Sequence, residues 1–178
     1  MRSLLQLIFI AMLTTLSTGV GAETPVASVP VLDINRYVGK WFEIASFPMF
    51  FQRNCIGDTT AEYALTHGGK ISVLNRCRTK DGVSQAEGKA FVVDGSKPAR
   101  LKVSFFWPFR SDYWVIGLDP DYRWAIVANP NRKYLWILSR TRLLPRDQLD
   151  AALAVATAQG YDLSQLRYTP QGEGNPSD

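Results

Sequence analysis

Few side chains in this sequence are equipped for covalent chemistry. The single histidine, His67, lies in Thr66-His67-Gly68-Gly69. That composition belongs to a tight hairpin turn, where an imidazole is usually just solvated. Two thiols, Cys55 and Cys77, do not complete a tetrahedral ligand set with it, so no metal is expected. No Ser-His-Asp or Cys-His set assembles around His67 either, and no cofactor is implied. An even pair of cysteines in a chain that reads as exported favours one disulfide, worth about 3 kcal/mol in the chain-entropy view. Simple registry about the 66–69 turn holds the two cysteines apart, so the bond requires residues 48–57 to fold back. The alternative is a free, reactive thiol.

The remaining polar chemistry is non-covalent. Trp41 opens the apolar run 41–47, and Arg140 ends the apolar run 134–140. A cation stacked on a buried indole is worth roughly 0.5–2 kcal/mol. Such a contact would staple the first strand to the last. Glu43 falls on the same face as Trp41 and faces the interior. It could act as an acid, but a structural partnership, with Arg140 for example, is favoured.

These residues need elements to hold them. Residues 33–38 have the form of one helical turn, with Asp33 as N-cap and Gly39 as the residue that ends it. Alternation and turn signals then mark strands at 41–47, 59–65, 70–78, 84–93, 100–106, 112–118, 123–128 and 133–140. Each connects to the next by a hairpin-sized link. The fold class expected is all-β: an eight-stranded antiparallel up-and-down β-barrel, whose closure removes both sheet edges. Leu149, Ala152, Leu153 and Ala156 recur at helical spacing between Pro145, placed at the first helical position, and Gly160. One C-terminal helix outside the barrel follows, with a short strand within 163–168.

The chain has 178 residues, enough for one domain. Residues 1–22 read as a signal peptide: Arg2, an apolar stretch from Leu4 to Leu16, and the small-residue site Val20-Gly21-Ala22. A flexible leader is expected over 23–32, the folded domain over 33–169, and a loose tail over 170–178. The 20 basic and 16 acidic residues give a net charge of +4, interspersed and without a basic run. No nucleic-acid footprint results, and at most a mild attraction to anionic membrane surfaces.

The sequence resembles the lipocalins, and in particular bacterial lipocalins similar to apolipoprotein D. The stretches that carry the resemblance are Tyr37-Val38-Gly39-Lys40-Trp41-Phe42-Glu43-Ile44-Ala45, Glu87-Gly88-Lys89-Ala90, Leu101-Lys102-Val103-Ser104-Phe105-Phe106 and Tyr134-Leu135-Trp136-Ile137-Leu138-Ser139-Arg140-Thr141. Three short motifs fall on Gly39 and Trp41, on Asp119 with Tyr122, and on Arg140. Leu118 stands where many relatives have threonine. The resemblance implies a barrel open at one end that binds a hydrophobic small molecule of the fatty-acid or lysophospholipid class. It places Tyr63, Asn75, Phe105 and Trp136 on the cavity wall, with Tyr63 and Asn75 orienting a ligand head. Strand alternation adds Val103 beside Phe105 and Leu138 beside Trp136. In 112–118 both faces are apolar, so alternation does not choose between Tyr113/Val115 and Trp114/Ile116.

Many bacterial relatives are acylated on a cysteine directly after the signal peptide. Here Glu23 follows Ala22 and no cysteine precedes Cys55. The expectation is a periplasmic or secreted protein in the service of membrane maintenance, peripheral at the outer membrane if attached at all, and not lipid-anchored. An enzyme using a free cavity cysteine to transform lipid is the alternative. Haem carriage is disfavoured by the position of His67.

In a meander, successive links alternate between the two ends. The links at 48–57, 79–83, 107–111 and 129–132 therefore share one end. Phe50, Phe51, Trp107 and Phe109 crowd that rim. Two readings stay open: a lid folded over the cavity, or side chains left exposed to dip into a membrane, with Arg53 and Arg110 meeting anionic head groups.

Overall fold

The structure, a computed structural model, describes residues 24–172. The expected signal peptide lies outside the described residues. The chain makes one turn of helix, α1 (Ile34–Tyr37), which begins where the Asp33 carboxylate accepts from the Asn35 N–H at 2.9 Å. Gly39, at φ +98°, then swings the chain into β1 (Gly39–Ser46). A side chain there would be strained, and its first carbon would sit 3.4 Å from Nη1 of Arg140.

Seven more strands follow: β2 (Gly57–Leu65), β3 (Ile71–Thr79), β4 (Gly82–Val92), β5 (Arg100–Phe106), β6 (Phe109–Leu118), β7 (Trp124–Ala128) and β8 (Leu135–Ser139). Each is antiparallel to the next, and β1 pairs with both β2 and β8. The eight strands thus close into the expected barrel, and a short β9 (Arg167–Tyr168) adds to β1. β6 starts at Phe109 rather than 112, because Phe109 pairs with Phe106 across the tight link.

Alternation sorts the apolar residues into two cores. The interior core holds Trp41, Tyr63, Val73, Leu101, Val115 and Leu138 among others. The outer core holds Ile44, Ile116, Ile126, Leu135 and Ile137, covered by α2 (Arg146–Ala158) through Ala152 and Ala156. β6 is thereby settled: Tyr113 and Val115 point in, while Trp114 and Ile116 point toward the helix side. Both faces of β6 are buried, which is why both are apolar. Pro145 precedes the helix as its N-cap instead of occupying the first helical position.

Two segments expected to be loose are held. In the leader, Val26 and Leu32 are buried, and the Val29 N–H donates to the Val115 carbonyl at 2.8 Å. The apolar residues spaced through this segment cover one end of the barrel, where Leu32 and Val29 meet the interior core. At the other terminus, Pro170–Gly172 do not dangle. β1 pairs with β2 only over Gly39–Phe42, and beyond Phe42 the two strands part. The C-terminal segment fills the gap: the Thr169 N–H donates to the Ile44 carbonyl, and the Asp58 N–H to the Pro170 carbonyl. Gln171 Nε2 donates to the carbonyls of both Glu43 and Thr59. Gly57 has to be glycine here, because a β-carbon would lie 2.6 Å from the Pro170 oxygen.

Cys55 and Cys77 are bonded, with Cα atoms 5.6 Å apart. The fold-back that this requires is present: the Ile56 N–H donates to the Arg78 carbonyl, and a β-bulge between Gly57 and Thr60 absorbs the offset.

Candidate functional site

The barrel interior is sealed at one end and partly open at the other. Near the end covered by residues 29–38, Trp41, Tyr63, Leu101, Val115 and Ala125 are buried. Toward the opposite end, Asn75, Val103 and Trp136 are only half-buried, and Phe105 is 44% exposed. An eight-stranded barrel is wide enough to hold one small ligand. The gradient from packed to accessible inward side chains marks where such a ligand would sit.

Each expected wall residue has a definite place. Val103 and Trp136 pack against the interior core, and Leu138 belongs to it. Phe105 lies over Gly88, whose absent β-carbon would come within 2.8 Å of the Phe105 ring. Glycine at 88 therefore lets the aromatic lie flat against β4. Asn75 shares its face with Ile71 and Val73, and its Oδ1 is buried without a hydrogen-bond partner among the described residues. An orphaned buried acceptor of this kind calls for a donor from a ligand or water.

Tyr63 is deeper than the resemblance alone implied. Its hydroxyl accepts from Tyr113 at 2.8 Å, and the Tyr113 hydroxyl is 2.7 Å from that of Tyr37. Burial pushes all three phenols up, that of Tyr63 to about 12, so they stay protonated. The local sequence pattern does not single out Tyr37 or Tyr113. Alternation was ambiguous for Tyr113, and Tyr37 sits in a helical turn whose contacts no local pattern reveals.

The motif residues converge on the closed end. The Arg140 guanidinium carbon stands 3.7 Å from the Trp41 ring centroid. Its nitrogens donate to the carbonyls of Arg36, Tyr37 and Lys40. Asp119 accepts from the backbone of Asp121 and Arg123 and from the Arg123 side chain. The Arg123 hydrogen bond holds its carboxyl below the usual range.

Glu43 is not paired with Arg140. It lies across from Leu138 on the inner side, and accepts from Ser46, Gln52 and Thr169. Burial raises its carboxyl pKa above the ordinary value, against the pull of those three donors. It ties β1 to the β1–β2 link and to the C-terminal segment. A recess of 490 Å³ opens beside it, between that link and residues 167–170. His67 is exposed in the β2–β3 turn, remote in register from these groups. No cluster of three potential metal ligands exists among the described residues.

The rim residues are exposed: Phe50 by 73%, Phe51 by 55%, Trp107 by 73% and Phe109 by 71%. Phe106 and Phe109 stack, and the Arg110 guanidinium lies over the rings of Phe91 and Trp107. A run of ring contacts leads from Phe50 through Phe51 and Tyr134 to the inward-facing Trp136.

Residues 32–171 match the family model for a lipocalin-like domain. The chain is 41% identical over 153 residues to temperature-induced lipocalin-1 of Arabidopsis thaliana, covering 82% of each chain. It is 40% identical over 168 residues to the outer membrane lipoprotein Blc of Vibrio cholerae, covering 92% of this chain and 98% of that one. Apolipoprotein D of Macaca fascicularis is 38% identical over 148 residues, with 78% and 77% covered. Among solved structures, insecticyanin from the tobacco hornworm Manduca sexta superposes with a TM-score of 0.69 at 24% identity, covering 86% of this chain and 88% of that one.

Proposed function

The chain belongs to the lipocalin family, and from that premise we propose that it binds and carries a hydrophobic small molecule of the fatty-acid or lysophospholipid class in the cell envelope, in support of membrane maintenance. The observation that carries this reading is the interior gradient: a wall sealed at one end and accessible at the other, with the unpartnered Asn75 Oδ1 inside it. Tyr63, Asn75, Val103, Phe105, Trp136 and Leu138 form the wall. The envelope assignment draws on the leader-like residues 1–22 and on bacterial relatives named as outer membrane lipoproteins.

A binding role is favoured over lipid transformation. Cys77 shares the inner face of Asn75, but it is bonded to Cys55 and no cysteine is free. The same bond leaves no thiol for acylation, so labelled palmitate should not be incorporated in cells; labelling would overturn an unanchored protein. The exposed rim favours a membrane-touching mouth over a closed lid, since apolar side chains that face water have no gain in clustering at one end.

Native mass spectrometry of protein purified without detergent tests the central claim. One single-chain lipid per barrel is expected, recoverable by solvent extraction. A barrel that stays empty, even after incubation with fatty acid and lysophospholipid, would refute it.

A further inference from the structure

The described arginines, two excepted, each meet a carboxylate, a carbonyl, a hydroxyl or an aromatic face. The exceptions are Arg53, in the β1–β2 link, and Arg167, in β9. Neither side chain makes an ion pair, a hydrogen bond or a ring contact among the described residues. Both line the same 490 Å³ recess. That volume falls within the range of about 300–1,000 Å³ that ligand sites occupy. The one acid on its wall, Glu43, does not claim them, being buried and turned to Ser46, Gln52 and Thr169. A guanidinium fork matches carboxylate and phosphate oxygens two at a time, so two uncommitted forks at one recess make a seat for an anion.

The recess also has an apolar side and a way into the barrel. Met49, Phe50 and Ile56 line it, and Phe50 belongs to the exposed rim. Arg167 pairs with Ser46, which pairs on its other side with Trp136. That register turns Arg167 to the inner side, on the same band of wall as the half-buried Trp136. The ring contacts from Phe50 through Phe51 and Tyr134 end on Trp136 as well. A cationic seat thus stands at the outer end of an aromatic track that leads inside. The rim on the far side of the mouth differs: Arg110 there is already occupied by Phe91 and Trp107.

We propose that this recess seats the anionic head of an amphiphile, a carboxylate or a phosphate held by Arg53 and Arg167, while the chain runs past Trp136 into the barrel. The proposal rests on the lipid-binding reading above and deepens it. It gives the charge of the head, places that head at the β1–β2 side of the mouth, and sends the tail in first.

The test is equilibrium binding of three ligands of one chain length to the full chain: the carboxylic acid, the alcohol and the amine. At about pH 8 the free acid is a carboxylate. The acid should bind at least about fivefold more tightly than the amine, and added salt should narrow the gap. Arg53→Gln and Arg167→Gln should each lower the acid-to-alcohol affinity ratio by roughly threefold, and the double variant by about tenfold. A general loss of folding does not move that ratio. Arg167→Lys, which keeps the charge, should retain most of it. An amine that binds as tightly as the acid would overturn the proposal. So would a ratio unmoved in the double variant, which would leave two solvated surface arginines only. Inorganic phosphate, followed by phosphorus NMR on lipid-free protein, should show no saturable binding. Saturable binding that either glutamine substitution abolishes would assign the recess to a free anion and overturn the lipid head. If all three amphiphiles bind alike, the recess assignment falls and the lipid-binding reading stands; if none binds, both fall.

Discussion

Arg140 and Trp41 lie face to face, with the guanidinium carbon 3.7 Å from the ring centroid. The contact is a clamp on three elements, because Arg140 also bonds the carbonyls of α1 and of Lys40 in β1. Trp41 completes it by donating its indole N–H to the Tyr37 carbonyl at 2.8 Å. Arg140→Ala should lower stability by about 1–3 kcal/mol in urea unfolding, counting lost packing with lost charge. Lipid affinity, measured well below the melting temperature, should hardly change. Weak binding with intact stability would mean that Arg140 serves the cavity.

The Cys55–Cys77 bond closes a loop with a sequence separation of 22. Replacing both cysteines by alanine should cost about 3 kcal/mol. Non-reducing peptide mapping of the parent should return the two cysteine peptides as one species. Two separate, alkylatable peptides would contradict the bond.

Glu43 predicts a pH dependence with a definite sign. Burial raises its folded pKa above the unfolded value, so the native state holds this proton more tightly. The resulting stabilisation is fully present below the unfolded carboxyl value and is lost as pH rises through the folded one. Glu43→Gln removes that term. The stability difference between variant and parent should therefore move in the variant's favour as pH rises through the upper carboxyl range. A difference that is flat with pH would show that the three donors offset the burial.

The rim yields a comparison between two assays. Phe50→Ser and Trp107→Ser should each weaken binding to anionic vesicles by roughly fivefold, ~1 kcal/mol. Affinity for a monomeric ligand in solution should stay nearly constant. A parent protein that ignores vesicles, or an equal loss in both assays, would restore the lid.

The sequence shows those features that short-range pattern controls. Alternation and turn chemistry place the strands, because a one-residue slip would turn each apolar set to the wrong face. Trp41 and Arg140 are legible because they stand at the first and last strand of a meander that has to close. What stays hidden depends on remote partners. Alternation in β6 is silent because α2 covers the face that water would otherwise claim. Glu43 finds Gln52 and Thr169, neither of which any spacing rule connects to it. Val26, Leu32 and Gln171 sit in proline- and glycine-bearing segments whose composition reads as loose. Their order comes from surfaces built by distant parts of the chain.

The wedge of residues 169–172 between β1 and β2 has a consequence for the order in which the chain can fold. A polypeptide emerges N-terminus first, and β1 is the earliest strand. Its first half can pair with β2 as soon as that hairpin is out. Its second half waits for β8, for β9 and for Thr169 to Gln171. Throughout that interval the sheet has two bare edges, the state most exposed to mispairing between chains. The last described residues are thus the closing stitch, and a chain cut short before Arg167 would leave the seam unsewn even with all eight barrel strands present.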